Sequence, residues 1–368
     1  MSVPPSPGPL TGMTVVDLSR MLPGAVTVRQ LLDLGARVVK VEEPGTGDPM
    51  RMVPPLVDGI GLPFAVLLAG AESVALDLRD RDGAAAVRRL AERSDVLLES
   101  FRPGTLARWG LSRDDLLAAN PQLIGCSLPA FAGEPDRVAH DLNLVAEAGV
   151  LDLMPGGGVP AIQLADVGAG MLATSAILAA LVARERHGPG TWLDQSLESG
   201  PRPFTTWARA EAALGRERVA AMLLGGECPC YRTYRCGDGR RVAVAALEPK
   251  FWIGFVTAIG ADELAGSGFA VGQDAVTAVE AVEARLADRP AADWVALATR
   301  HGLPLSEVRS LEEVAAADCG AAVSLPGGGE LRCGGPWLEA LAVPTDRPAP
   351  RLGEHTEAVL APLTGGGS

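Results

Sequence analysis

At 368 residues the chain is long enough to bury more than one core, and two domains, one large and one small, are expected. Its 32 Lys and Arg against 45 Asp and Glu give a formal net charge of −13. This excludes a nucleic-acid partner, since a phosphate backbone demands a basic surface, and leaves a small anionic ligand only if a local basic cradle holds it. Aromatic residues make up 4%, with 44 Gly and 29 Pro, which predicts an Ala, Leu and Val core with many tight turns.

The opening MSVPPSPGPLTG lacks the basic region and apolar core of a secretory signal, so a cytoplasmic location is expected. MTVVDLS then predicts a strand, AVTVRQLLDLGA a helix closed by Gly35, and RVVKVE a second strand. SVALDL, the helix DGAAAVRRLAERS and the strands DVLLES and LIGCSL continue the alternation. Strands alternating with helices predict an α/β fold, a Rossmann-like, doubly wound parallel sheet with helices on both faces. The most apolar window, Val167 to Ala183, is short for a bilayer span and predicts a buried helix, with no membrane partner. TWLDQSLESG restarts a strand and then a helix.

The texture changes near Gly225. YRTYRCGDGRRVAVAAL has two β-like runs around a hairpin turn, helical patterns follow at 249–260, 274–287 and 290–301, and then comes the Gly-rich GAAVSLPGGGELRCGG. These predict a smaller α+β domain over 225–325, with the larger domain formed by 1–224 and 326–368. PAPRLGEHTEAVLA reads as an extended stretch and a helix returning to the larger domain.

Three residues stand out for chemistry. His140, in HDLN, sits at the amino end of the helix suggested by LNLVAEAGVL, with Asp141 as its candidate N-cap. Helix amino ends gather unpaired N–H groups, which suits a developing oxyanion, yet a surface histidine beside a cap has the same local sequence. Asp166, in QLADVGAGM, precedes a long helix whose Gly168 and Gly170 bare the backbone; it reads either as a cap or as a base or nucleophile. Glu248, in VAVAALEPKFW, follows a strand and precedes Pro249 at a first helical position, where glutamate is a mediocre cap.

Other motifs exclude functions. The six cysteines (126, 228, 230, 236, 319, 333) form no disulfide framework in a chain of this kind, and the C-x-C spacing of Cys228 and Cys230 is not that of a zinc knuckle, so no metal is expected. The Rossmann glycine fingerprint is absent from SRMLPGA, no P-loop occurs, and no G-x-S-x-G elbow is present, which argues against nicotinamide, ATP and serine-hydrolase chemistry.

Taken in order, LTGMTVVDLSRMLPG, LLDLGARVVKVEEPGTGDPMR, SVALDLR, ESFRPGTLARWGLS, NPQLIGCSL, HDLN, ADVGAGM, HGPGTWLDQSL, CYRTYRCGDGRRVAVAALEPKFW and PRLGEHTEAVL resemble the family III CoA-transferase superfamily, closest to its 2-methylacyl-CoA racemase branch, over nearly the whole chain. The resemblance implies two domains, an interlocked homodimer, an acyl-CoA substrate whose coenzyme A is part of the substrate, and no catalytic cofactor. It implies a racemase acting through His140 and Asp166 on opposite faces of the α-carbon, with Glu248 supporting the histidine. As a runner-up it allows a CoA-transferase with Asp166 as nucleophile, and as a third reading a repurposed thioester-binding relative. Phe101, Arg102 and Arg108 match the family's CoA contacts. Two departures stand out: AGAES, with Glu72, replaces a basic run, and LPAFAGEPDR replaces a glycine-rich loop.

Overall fold

In the computed structural model, residues 7–134, 136–215, 219–317, 321–335 and 337–364 are described; Cys319 and the first six residues lie outside them. The chain forms two compact units, Met1–Ala148 with Ile162–Arg202 and Ala317–Ser368, and Gly149–Ala161 with Pro203–Ala316. These bounds differ from the expected 225 and 325. The helices that end at Ala213 and span Val219–Leu224 belong with the second unit, and the strand Ala321–Ser324 belongs with the first. The reason lies in the hairpin Ala321–Ser324 and Glu330–Gly335, whose two strands the Gly-rich run closes into one piece.

The first unit carries six parallel strands: β1 (Thr14–Leu18), β2 (Arg37–Glu42), β3 (Glu72–Ala75), β4 (Val96–Glu99), β5 (Ile124–Ser127) and β6 (Thr191–Asp194). Their order is β3-β2-β1-β4-β5-β6. Val-rich runs such as VVDL and VVKVE suit this position, because strands of a parallel sheet are covered on both faces. One face is covered by α1 (Met21–Asp33) and by the long α4 (Leu164–His187), with Val28, Leu31, Leu98, Ile124, Ala173 and Ile177 in the shared core. The other is covered by α2 (Arg81–Ala91) and the C-terminal α8 (Thr356–Thr364), with Val16, Val39, Val87, Leu97 and Val359 buried.

α8 returns to this unit as expected: Ser73 and His355 exchange two hydrogen bonds, of 2.9 and 3.3 Å, and the amide of Ala75 donates to Thr356 Oγ1. α4 is the one helix among the described residues long and apolar enough to cross a membrane, but half of its most apolar window is buried. A Cβ on Gly170 would lie 2.7 Å from the carbonyl oxygen of Pro23, so glycine is what lets α4 lie directly on α1. Thr27 Oγ1 donates across the same contact to the Gly170 carbonyl at 3.2 Å.

The second unit holds an antiparallel sheet of β7 (Tyr231–Arg235), β8 (Arg241–Ala245) and β9 (Leu305–Glu307), with β8 central. Its hairpin turn is the expected CGDGR, with Gly239 in the left-handed region and the Cys236 amide donating to the Arg240 carbonyl. Helices α5 (Pro249–Ala258), α6 (Gly272–Leu286) and α7 (Ala291–His301) pack on it through Trp252, Phe255, Val282, Leu286 and Trp294. Cys228, Cys230 and Cys236 are buried in this core as small apolar residues, and burial pushes the Cys230 and Cys236 thiols up to about 11.

Candidate active site

The strand order reverses between β1 and β4, so the loops leaving their carboxyl ends diverge and open a crevice, the usual place for a ligand in such sheets. Two cavities of the first unit lie there and share Arg20 and Phe101.

The first is lined by Ser19, Arg20, Glu43, Asp77, Arg79, Phe101 and Trp109, at the carboxyl ends of β1 to β4. Phe101 meets Trp109 edge to face at 5.0 Å, and the Arg20 guanidinium lies 5.5 Å above the Phe101 ring. Aromatic faces beside arginines suit a planar base and anionic groups.

The second cavity is lined by Arg20, Met21, Phe101, Arg102, Leu128, Phe131, Arg137, Leu142, Gln163 and Leu197, and it contains His140, Asp141 and Asp166. His140 is the N-cap of α3 (Asp141–Glu147), with φ −116° and ψ 172°, and its amide donates to Asn143 Oδ1 at 3.0 Å. Asp141, expected to cap this helix, is instead its first helical residue. Its Oδ1 accepts the amides of Ala165 (2.7 Å) and Asp166 (3.0 Å), so it caps α4, a different helix. Asp166 is therefore released from capping. It is the third residue of α4 after the N-cap Gln163, whose Nε2 lies 3.5 Å from Asp166 Oδ2.

Burial and the neighbouring Asp141 carboxylate push Asp166 up to about 6, against the opposing pull of His140. A half-buried carboxylate so tuned can take and return a proton near neutral pH.

The expected residues of the first unit separate into those one cavity collects and those it does not. His140, Asp166, Phe101 and Arg102 line one cavity. Arg108 lines neither; it is exposed and donates to Thr105 Oγ1 at 2.9 Å. Glu248 belongs to the second unit, exposed at the N-cap of α5 with no capping bond from its side chain. Glu72 opens β3 at its amino end, opposite the crevice, and takes Arg37 in an ion pair of 2.7 Å. The loop replacing the glycine-rich one is built into the cavity: Arg137 lies 4.1 Å above the Phe131 ring and pairs with Glu134 and Glu147. Sequence reasoning missed Asp141 as a link to α4, and it missed Arg20 and Trp109. RMLPG carried a signal for Arg20 only as the first cation after β1.

Fold and cavity define an α/β protein with an imidazole and a carboxylate, His140 and Asp166, on one cavity at the switch point of a parallel sheet. A model of CoA-transferase family III matches residues 10–356. The chain is 32% identical to alpha-methylacyl-CoA racemase of Homo sapiens over 369 residues, covering 95% of this chain and 92% of the relative. It is 31% identical to acetyl-CoA:oxalate CoA-transferase of Acetobacter aceti, covering 96% and 95%. A CAIB/BAIF family protein of Brucella suis has a similar structure, with a TM-score of 0.81 and 28% identity over 97% of this chain and 100% of that one. The chain belongs to CoA-transferase family III and is an enzyme.

Proposed function

We propose that the protein is a racemase or epimerase of 2-methyl-branched acyl-CoA thioesters. The observation that carries this is the convergence of an imidazole, His140, and a carboxylate tuned to about 6, Asp166, on one cavity. Inverting a carbon beside a thioester requires one group to remove the α-proton and another to return a proton from the opposite face. In one direction Asp166 takes the α-proton, the electron pair moves onto the thioester oxygen as an enolate, and imidazolium His140 delivers its proton to the other face. The pair ends with its single proton on Asp166, and the reverse direction starts from that form. In this reading the enolate oxygen is received by N–H groups at the start of α3. The family resemblance gives Glu248 the role of supporting the histidine.

The Phe101–Trp109 cavity takes the nucleotide end of CoA, with Arg20 and Arg102 at the phosphates. Two copies form the working dimer, which would cover the exposed apolar residues Met171 and Val182 on α4; sedimentation at micromolar concentration tests this.

The reaction is tested by deuterium incorporation at C2 of a 2-methylacyl-CoA in heavy water. Exchange is expected in the wild type and a loss of roughly 10²–10⁴-fold in both His140→Ala and Asp166→Ala. Absence of exchange, with CoA moved to an added free acid and hydroxylamine sensitivity at Asp166, would establish the transferase reading instead.

A further inference from the structure

Met21 is the first residue of α1, yet its φ is +63°, in the left-handed region that non-glycine residues rarely occupy. It is 38% exposed, whereas every residue from Pro23 to Asp33 is buried. Met21 is one of the residues lining the cavity that holds His140 and Asp166.

The corner that carries it is pinned from below. The Ser19 amide and hydroxyl both donate to Asp17 Oδ1, at 2.8 and 2.5 Å. The Arg20 amide donates to Ser100 Oγ at 2.8 Å, and the Met21 amide to Asp48 Oδ1 at 3.3 Å. Beneath them lies a buried ammonium. Lys40 Nζ reaches Asp17 Oδ2 (3.0 Å), Asp48 Oδ2 (3.1 Å) and the Ser19 carbonyl (2.9 Å), which uses all three of its donors. Lys40, Asp17 and Asp48 are 2%, 0% and 3% exposed. On the far side, a Cβ on Gly24 would fall 1.8 Å from Ser19 Oγ, so the helix start closes tightly over the corner. A strained residue persists only where its surroundings over-determine it, and such residues cluster at functional sites. Here the surroundings are a buried ion cluster, and what they hold in place is a residue with an unbranched, adaptable side chain at the wall of the cavity.

We propose that Met21 is a specificity-determining contact for the acyl group, and that the Lys40–Asp17–Asp48 cluster is the clamp that aims it. This deepens the racemase reading by assigning the wall that senses the acyl chain, and it rests on that reading only in naming 2-methylacyl thioesters as the probe.

The experiment compares wild type, Met21→Gly, Met21→Ala, Asp48→Asn and the Met21→Gly/Asp48→Asn double variant. It measures calorimetric Kd for free CoA and for one short-chain and one long-chain 2-methylacyl-CoA, with deuterium incorporation at C2 alongside. Glycine accepts the left-handed backbone, so Met21→Gly should keep its Tm and its affinity for free CoA. Its long-to-short Kd ratio should shift by roughly fivefold or more. Asp48→Asn should shift the ratio the same way and add nothing in the Met21→Gly background, because the clamp acts through Met21.

A ratio in folded Met21→Gly that stays within about twofold of wild type overturns the assignment, as does wild type binding acyl-CoA no more tightly than CoA. Wild type that exchanges no deuterium while the Kd ratio still shifts refutes the racemase reading and leaves Met21 as the acyl contact. Should Asp48→Asn fail to fold, the two Met21 variants decide the matter.

Discussion

Asp141 grips Asp166 by its backbone. One carboxylate oxygen of the residue next to His140 accepts the Ala165 and Asp166 amides at 2.7 and 3.0 Å, so the start of α3 and the start of α4 are tied by two hydrogen bonds. The tie places the imidazole and the carboxylate on one cavity and adds a negative charge beside Asp166.

Asp141→Asn keeps an acceptor oxygen for the two amides and removes the charge. It should retain most of the exchange activity while Asp166 moves back toward the ordinary carboxylate range and the acid limb of the pH profile moves to lower pH. Asp141→Ala removes the cap as well, costing about 1 kcal/mol of stability and at least roughly tenfold in exchange rate. Unchanged pH profiles and rates in both variants would refute the link; C2 deuterium incorporation across pH measures it.

Both reaction directions use a pair that carries one proton, so the pH profile should be bell-shaped and the same for the two C2 epimers. The acid limb arises when the second member of the pair is protonated. With Asp166 raised to about 6, that limb should lie at or below about pH 6. Steady-state kcat/KM measured with each epimer checks this, and a limb well above that value counts against Asp166 as a member of the pair.

The same shift has a cost in stability. A carboxyl whose folded pKa exceeds its unfolded value contributes most below the unfolded value, near 4, and loses that contribution as pH rises through about 6. Asp166→Asn should therefore be more stable than wild type above pH 6, on the order of 1 kcal/mol after allowing for solvent screening of a half-exposed group, with the gain vanishing near pH 4. Thermal melts at pH 4 and pH 8 test the sign.

Phe101→Ala and Arg102→Ala touch the expected CoA end and not the reacting carbon. Each should raise KM for acyl-CoA by roughly tenfold with little change in kcat, and the Arg102 effect should fade with added salt. A drop in kcat at constant KM would place these residues in the chemistry instead.

Gly170→Ala sets a methyl group 2.7 Å from the Pro23 carbonyl oxygen, where α4 lies on α1. Pushing the helices apart should cost about 1–3 kcal/mol by denaturant melt and lower exchange, since α4 carries Asp166. Gly168, two residues after Asp166 on the same helix, makes the useful comparison.

Much of the fold was legible in the sequence because its signals are local. VVDL, VVKVE and VLLE are runs that only a doubly covered strand requires, and the alternation with DGAAAVRRLAERS names a parallel sheet. CGDGR marked the second unit's hairpin through its glycine and aspartate. His140 and Asp166 could be singled out by residue type and by their places at helix starts. The domain bounds were less legible, because the helices Arg202–Ala213 and Val219–Leu224 carry the same local signal in either unit and only packing assigns them.

The sequence by itself determined the α/β alternation, the acidic balance of charge and the residue types fit for proton transfer, since each follows from composition or short-range periodicity, and the order of its motifs carried the resemblance to the family. Tertiary structure alone decided that Asp141 caps α4 and not its own helix, that Glu72 pairs with Arg37 at the far end of the sheet, and that a buried lysine holds Met21 in a left-handed corner. The physical reason is that a hydrogen bond or ion pair forms between groups the fold brings within about 3 Å, and separation along the chain carries no record of that distance.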